Sequence, residues 1–365
     1  MANEIEKKYK EYEMLRLREF RKSLYTNPRL RQLFFEVTSR CNARCEHCGS
    51  RCDDKEQGKE IEAKYIKKVL KEVSEHYDPR YVMLNITGGE PLMRKDLFDL
   101  MAYAHELGFP WGMTTNGMLI TKSKVEKMAE TGMYSVSVSI DGLEKTHEEF
   151  RKVPGSYKKI LKGLEYMQEC PTIKVVQVTT VANKKNFHEL EDIYKMLCDM
   201  NIKYWRVVNC DPIGRAQDHS DILLDHSQYK ELFEFIRSHN AEGKMEVTYG
   251  CSHFIGLEYE KELRNEYFFC MAGLYVASVL SNGDIFVCPN VPRRKELIQG
   301  NVKKDSFIEV WENKFEAFRN EYRTSNETCK KCKYWKYCNG DSFHTWNFEE
   351  NKPNICLKDI FDDEE

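Results

Sequence analysis

The chain has 365 residues, 41% hydrophobic and 32% charged, with a formal net charge of −3. That balance suits an ordinary globular protein and excludes a disordered chain, and it offers no global charge for nucleic acid or an anionic membrane. No apolar run is long enough to span a bilayer, and the start, MANEIEKKYKEYEMLRLREFRKSL, lacks the apolar core of a secretion signal, so a cytoplasmic location is expected.

In chain order, residues 1–30 form a charged helical extension. From 31 to 245, short β-type runs alternate with segments of helical period, the pattern of repeated βα units around a parallel sheet. Strands are expected near 33–38, 81–87, 111–116, 134–140, 173–181 and 204–209. Helices are expected near 59–76, 95–107, 121–131, 156–169, 186–200 and 227–240. Six such units predict an α/β fold, a partial (β/α)6 barrel two units short of the full form.

Alternation along the strands adds a functional hint. Val136, Val138 and Ile140 share one face, and Ser137, Ser139 and Asp141 the other. Likewise Val82, Leu84 and Ile86 oppose Met83, Asn85 and Thr87, while Val176 and Val178 oppose Gln177 and Thr179. A closed barrel fills its interior with branched apolar side chains. Polar groups on one face point instead to a wet, substrate-sized lumen. The alternative, polar faces that merely meet solvent, sits poorly with parallel sheets, whose two faces are usually covered.

The character changes after 245, and residues 246–365 are expected to form a second domain. Tyr275–Cys288 reads as a hairpin turning at Ser281-Asn282-Gly283-Asp284, since Asn-Gly is a strong turn signal. Ser306–Arg323 reads as a helix, and 329–356 as a cysteine-rich loop region.

Fourteen cysteines need an account. The chain is too long for a disulfide scaffold, and clustered cysteines in a reducing compartment more often bind metal. Cys41, Cys45 and Cys48 lie on a short loop after the first strand, at the end of a barrel where active sites are built. Three thiolates can hold three irons of a cubane and leave the fourth open. Zinc is the alternative, with His47 or Cys52 as a fourth ligand.

The motif resembles the CX3CX2C signature of the radical S-adenosylmethionine superfamily, with His47 at its usual aromatic position. Further elements follow in the family's order. Gly88-Gly89-Glu90-Pro91 resembles the stretch that binds the methionine amino group. Ser137, Ser139 and Asp141 stand where the family contacts the ribose and methionine moieties. Arg151 resembles the basic residue that meets the methionine carboxylate, and Asp211-Pro212-Ile213-Gly214-Arg215 the run that positions adenine. The resemblance implies a [4Fe–4S] cluster whose open iron is chelated by S-adenosylmethionine. Reductive cleavage then yields a 5′-deoxyadenosyl radical that abstracts hydrogen, with an external reductant of flavodoxin or ferredoxin type.

Cys329, Cys332 and Cys338 give C-x2-C-x5-C, with Cys356 beyond, and Cys270 and Cys288 flank the hairpin. This arrangement resembles the SPASM extension of the same superfamily, which carries two auxiliary clusters. By that resemblance Cys329, Cys332, Cys338 and Cys356 hold one, and Cys251, Cys270 and Cys288 the other. A zinc ribbon is the alternative for the four-thiol set. The chain departs from the family where a cysteine is expected, at Ser342. The nearer cluster then has an open iron, an oxygen ligand from Asp341 or Ser342, or fewer irons, or is absent. Cys52, Cys170, Cys198 and Cys210 are left as small buried residues. Cys52 and Cys210, near the barrel mouth, are also placed to donate hydrogen to a substrate radical.

The resemblance implies modification of a peptide or protein side chain, oxidation or crosslinking. The residues before the barrel are too few for a leader-binding domain, so the barrel itself or a separate leader-binding protein would hold the peptide. The rival readings are oxidation of a small molecule, a haem precursor or carbohydrate, and a non-catalytic iron–sulfur or zinc module. Trp335, Tyr337, Phe343 and Trp346 are expected to pack around the clusters.

Overall fold

A computed structural model describes residues 2–52, 60–250, 252–320 and 326–361. All six expected strands are present: β1 (Gln32–Glu36), β2 (Met83–Thr87), β3 (Trp111–Thr115), β4 (Met133–Ser139), β5 (Val175–Ala182) and β6 (Tyr204–Asn209). They pair in parallel in chain order. The opening extension is helix α1 (Ala2–Thr26), and the crossings are α2 (Ala63–His76), α3 (Leu97–Glu106), α4 (Lys122–Glu130), α5 (Glu144–Arg151), α6 (Ser156–Gln168), α7 (Leu190–Asp199) and α8 (His226–Glu242). The stripes that define them are plain. α2 buries Ile66, Val69, Leu70 and Val73, and α7 buries Leu190, Ile193, Tyr194 and Leu197, both at helical spacing. α8 starts at a capping box of Asp225 and Gln228 and stops at Gly243, whose φ of +67° is left-handed.

A seventh parallel strand, β7 (Glu246–Tyr249), pairs with β6 and was not expected. Four residues offer only two inward apolar positions, Val247 and Tyr249, too few for alternation to stand out. The hairpin forms as expected from β8 (Val276–Val279) and β9 (Asp284–Phe286), with Gly283 at φ +95° in the turn. Its first strand pairs in parallel with β1, and β10 (Gly300–Asn301) closes the edge, so one ten-stranded sheet runs from β10 to β7. The helix expected at Ser306–Arg323 is shorter: it spans Phe307–Asn313 and ends as Phe315 takes a left-handed φ of +56°.

The two faces differ as the alternation predicts. Leu33, Phe35, Leu84, Ile86, Trp111, Val136, Val138, Val178, Trp205 and Val207 are almost fully buried in one core with the helices. The register places Asn85 beside Gly112, Ser137 beside Gln177 and Thr179 beside Arg206 on the opposite, concave face. There Ser137 Oγ lies 2.7 Å from Thr179 Oγ1, and Gln177 Nε2 donates to Ser137 Oγ at 3.2 Å. Among the described residues, no helix is long and apolar enough to cross a membrane.

Candidate active site

The thiol loop lies at the C-terminal end of β1, strapped to its neighbours on three sides. On one side Gly89 N donates to Thr38 O and Glu90 N to Arg40 O, both at 2.8 Å. The two glycines permit this approach, because a Cβ on Gly89 would lie 2.2 Å from Arg40 O and one on Gly88 2.4 Å from Thr38 O. On the second side Arg44 N and Glu46 N donate to the carbonyls of Arg151 and Phe150. The His47 ring stacks on Phe150 at 4.6 Å, and Glu46 is held by Lys152 at 2.5 Å and Lys185 at 2.6 Å. On the third, Arg215 N donates to Cys48 O at 3.0 Å, while its guanidinium donates to Cys45 O at 2.9 Å and Cys52 O at 3.1 Å.

The expected cofactor residues are held in distinct states. Glu90 is fully buried, accepting from Thr115 Oγ1, Asn116 N and Leu92 N, while Pro91 opens the short turn beside it. Burial pushes the Glu90 carboxyl above its ordinary range. Asp141 is equally buried: Oδ1 accepts from Val181 N at 2.8 Å, and Oδ2 accepts from Arg151 Nε at 2.8 Å. Burial is the largest single influence and opposes its charge, but Arg151, His47, His147 and the Val181 amide together hold the carboxyl below the usual range. Asp141 thus orients Arg151. Ser137 is engaged with Thr179 and Gln177, and Ser139 is half-buried at the end of β4.

The C-terminal thiols are also brought together. Cys329, Cys332, Cys338 and Cys356 line one cavity of about 830 Å3 with Phe254 and Asp341. Cys270 is buried ahead of β8, and Cys288 is half-buried beyond β9; Cys251 lies outside the described residues. Ser342 and Asp341 are hydrogen-bonded to the segment 252–254. Ser342 Oγ donates to Ser252 O at 2.6 Å, and Asp341 accepts from His253 Nδ1 at 2.7 Å and Phe254 N at 2.9 Å. Tyr337, Phe343 and Trp346 are buried in packing, while Trp335 lines the cavity. Cys52 and Cys210 are buried as expected; Cys170 and Cys198 are only half-buried.

A model of the radical SAM superfamily matches residues 35–197, and a model of the SPASM iron–sulfur cluster-binding domain matches 270–333. The chain belongs to the radical SAM superfamily. Two relatives show its range. An AdoMet-dependent heme synthase of Nitratidesulfovibrio vulgaris is 26% identical over 88% of this chain and 89% of its own length. A PqqA peptide cyclase of Bradyrhizobium diazoefficiens is 25% identical over 83% of this chain and 78% of its own length. Among solved structures, anSMEcpe with bound AdoMet matches with a TM-score of 0.71 at 20% identity, covering 91% of this chain and 94% of that one, a likeness of fold.

This radical SAM enzyme therefore uses S-adenosylmethionine, a [4Fe–4S] cluster and auxiliary iron–sulfur clusters. The donor set of the first loop fits such a centre. Burial pushes the Cys41 thiol up to about 12 and raises Cys45 as well, so deprotonation there calls for a positive partner such as iron. A hydrogen bond from Cys52, with Arg215 nearby, brings Cys48 down to about 5 against its burial. The grip of Arg215 on the thiol loop is not legible in the sequence. A lone arginine after a strand carries no signal that its fork grips carbonyls 170 and 163 positions away.

Proposed function

We propose that this radical SAM enzyme oxidises or crosslinks a side chain of a peptide or protein, with the substrate held in the concave face of the sheet beside the thiol loop. Cys41, Cys45 and Cys48 would hold the [4Fe–4S] cluster, which when bound supplies the electron that cleaves S-adenosylmethionine. Gly88 and Gly89 would bring backbone close to the methionine amino group, and Arg151, braced by Asp141, would meet its carboxylate. Cys329, Cys332, Cys338 and Cys356 would ligate an auxiliary cluster, and Cys251, Cys270 and Cys288 a second.

The observation that carries the substrate reading is the lining of the concave face. Asn85, Ser137, Gln177 and Thr179 are neutral donors and acceptors, which suit a peptide backbone and polar side chains. A second reading, oxidation of a haem precursor, is favoured by the match to a heme synthase over most of both chains, and Arg206 on the same face would meet one carboxylate.

The test uses anaerobically reconstituted protein with S-adenosylmethionine and dithionite. Formation of 5′-deoxyadenosine, lost in the Cys41/Cys45/Cys48→Ala variant, supports the chemistry; none in wild type overturns it. Mass loss in peptides encoded beside the gene, against mass loss in a porphyrin haem precursor, decides between the substrates.

A further inference from the structure

His253 is completely buried between two carboxylates. Its Nδ1 donates to Asp341 Oδ2 at 2.7 Å and its Nε2 to Asp211 Oδ1 at 2.8 Å, so the ring carries both protons. Asp211 also accepts from Asn209 Nδ2 at 2.7 Å, and Tyr249 OH donates to Asn209 Oδ1 at 2.5 Å. The backbone is pinned too, because His253 O accepts from Arg264 Nη2 at 2.5 Å.

The two carboxylates belong to different regions of the site. Asp211 follows β6 and opens the segment that ends at Arg215, whose side chain grips Cys45 O and Cys52 O. Asp341 lines the cavity of Cys329, Cys332, Cys338 and Cys356. It ends a run of three left-handed residues, Asn339 (φ +50°), Gly340 (+78°) and Asp341 (+69°), directly after Cys338. Such backbone is held only where its surroundings dictate it, and here the two hydrogen bonds to Asp341 do so. Without the imidazole, the two buried carboxylates would lose the group that bridges them, and His344, 3.7 Å from Asp211 Oδ2, would remain near Asp211 alone.

We infer that His253 is a positioning residue that locks the C-terminal cysteine cavity to the mouth of the barrel and so sets the separation of the metal centres at the two places. The inference rests on the assignment of cysteines under Proposed function. Glutamine donates from a single amide nitrogen and phenylalanine has no donor, so neither can span the two carboxylates as the ring does.

The experiment is pulsed dipolar EPR on reconstituted, dithionite-reduced full-length protein, with iron counted on the same samples. In the His253→Gln variant iron content should match wild type, while the distribution of separations between the two centres broadens by about twofold or more, since a site keeps its geometry only when its supporting groups are locked. Asp341→Asn, which keeps an acceptor oxygen, should broaden it less. An unchanged distribution in both variants would overturn the inference, as would loss of the C-terminal iron in both, because His253 would then build the cavity rather than place it. A wild type that gains no iron through Cys329, Cys332, Cys338 and Cys356, judged against their alanine variant, would show instead that the cysteine assignment had failed, and the inference with it.

Discussion

Arg215 Nε donates to the carbonyl of Cys45 at 2.9 Å, joining the end of the sixth strand to the middle of the thiol loop. The residue is buried, and Gly214 before it has a left-handed φ of +57° with its α-carbon face against Cys48 O. Arg215→Met removes the fork and leaves the carbonyls of Cys45 and Cys52 without it. Groups that brace a metal site typically cost ~10–100-fold in affinity when lost. The expected result is faster loss of the N-terminal iron during chelator challenge, followed by the decay of iron–sulfur absorbance, with Arg215→Lys intermediate.

Arg151 should separate cofactor binding from cluster assembly. Arg151→Gln leaves Asp141 buried without its cation, and truncating one partner of such a pair costs ~2–5 kcal/mol. Equilibrium dialysis with labelled S-adenosylmethionine should show binding weakened by ~10-fold or more. Iron content should stay near that of wild type, because the hydrogen bond from Arg44 N that ties Arg151 to the loop is accepted by its backbone carbonyl, which glutamine keeps.

Gly89→Ala should force the thiol loop away from the turn after β2. The new Cβ would lie 2.2 Å from Arg40 O and 2.9 Å from Cys41 Cβ, so the paired hydrogen bonds of Thr38 and Arg40 must open. A cost of ~3 kcal/mol is expected, at the high end for overpacking. Gly155→Ala is the control: its φ of +73° is also left-handed, but nothing lies within 4 Å, so it should cost only ~1 kcal/mol. Thermal unfolding of the two variants measures the difference.

His147 predicts a pH effect. The ring is buried, and Nδ1 accepts from Asp141 N at 3.1 Å, so it must be neutral with its proton on Nε2. Burial, reinforced by Arg151, brings its pKa down to about 4. Because the folded value is depressed, the unfolded chain binds the extra proton first. Stability is intact above the ordinary histidine value near ~6.5 and is lost as pH falls through 4, by at most ~3 kcal/mol. Unfolding midpoints from pH 7 to 4 should fall less steeply in His147→Gln than in wild type; parallel slopes would count against this account.

Much of the architecture was legible in one dimension because it repeats. Stripes such as Ile66, Val69, Leu70 and Val73, and alternation such as Ser135 to Ser139, are periodic signals that local geometry imposes. β7 escaped because four residues carry too little period, and the helix beyond Ser306 was read too long because nothing local announces the left-handed Phe315.

What the sequence determined by itself was chemical identity and order along the chain: thiols at Cys41, Cys45 and Cys48, glycines where backbones must touch, and a second group of cysteines far downstream. Only the tertiary structure decided which side chains meet across long separations. Asp141 turned out to hold Arg151, Ser342 to bond Ser252, and His253 to stand between Asp211 and Asp341. Such polar pairings depend on direction and burial rather than period, so they take form only once the strands and loops have been set beside one another.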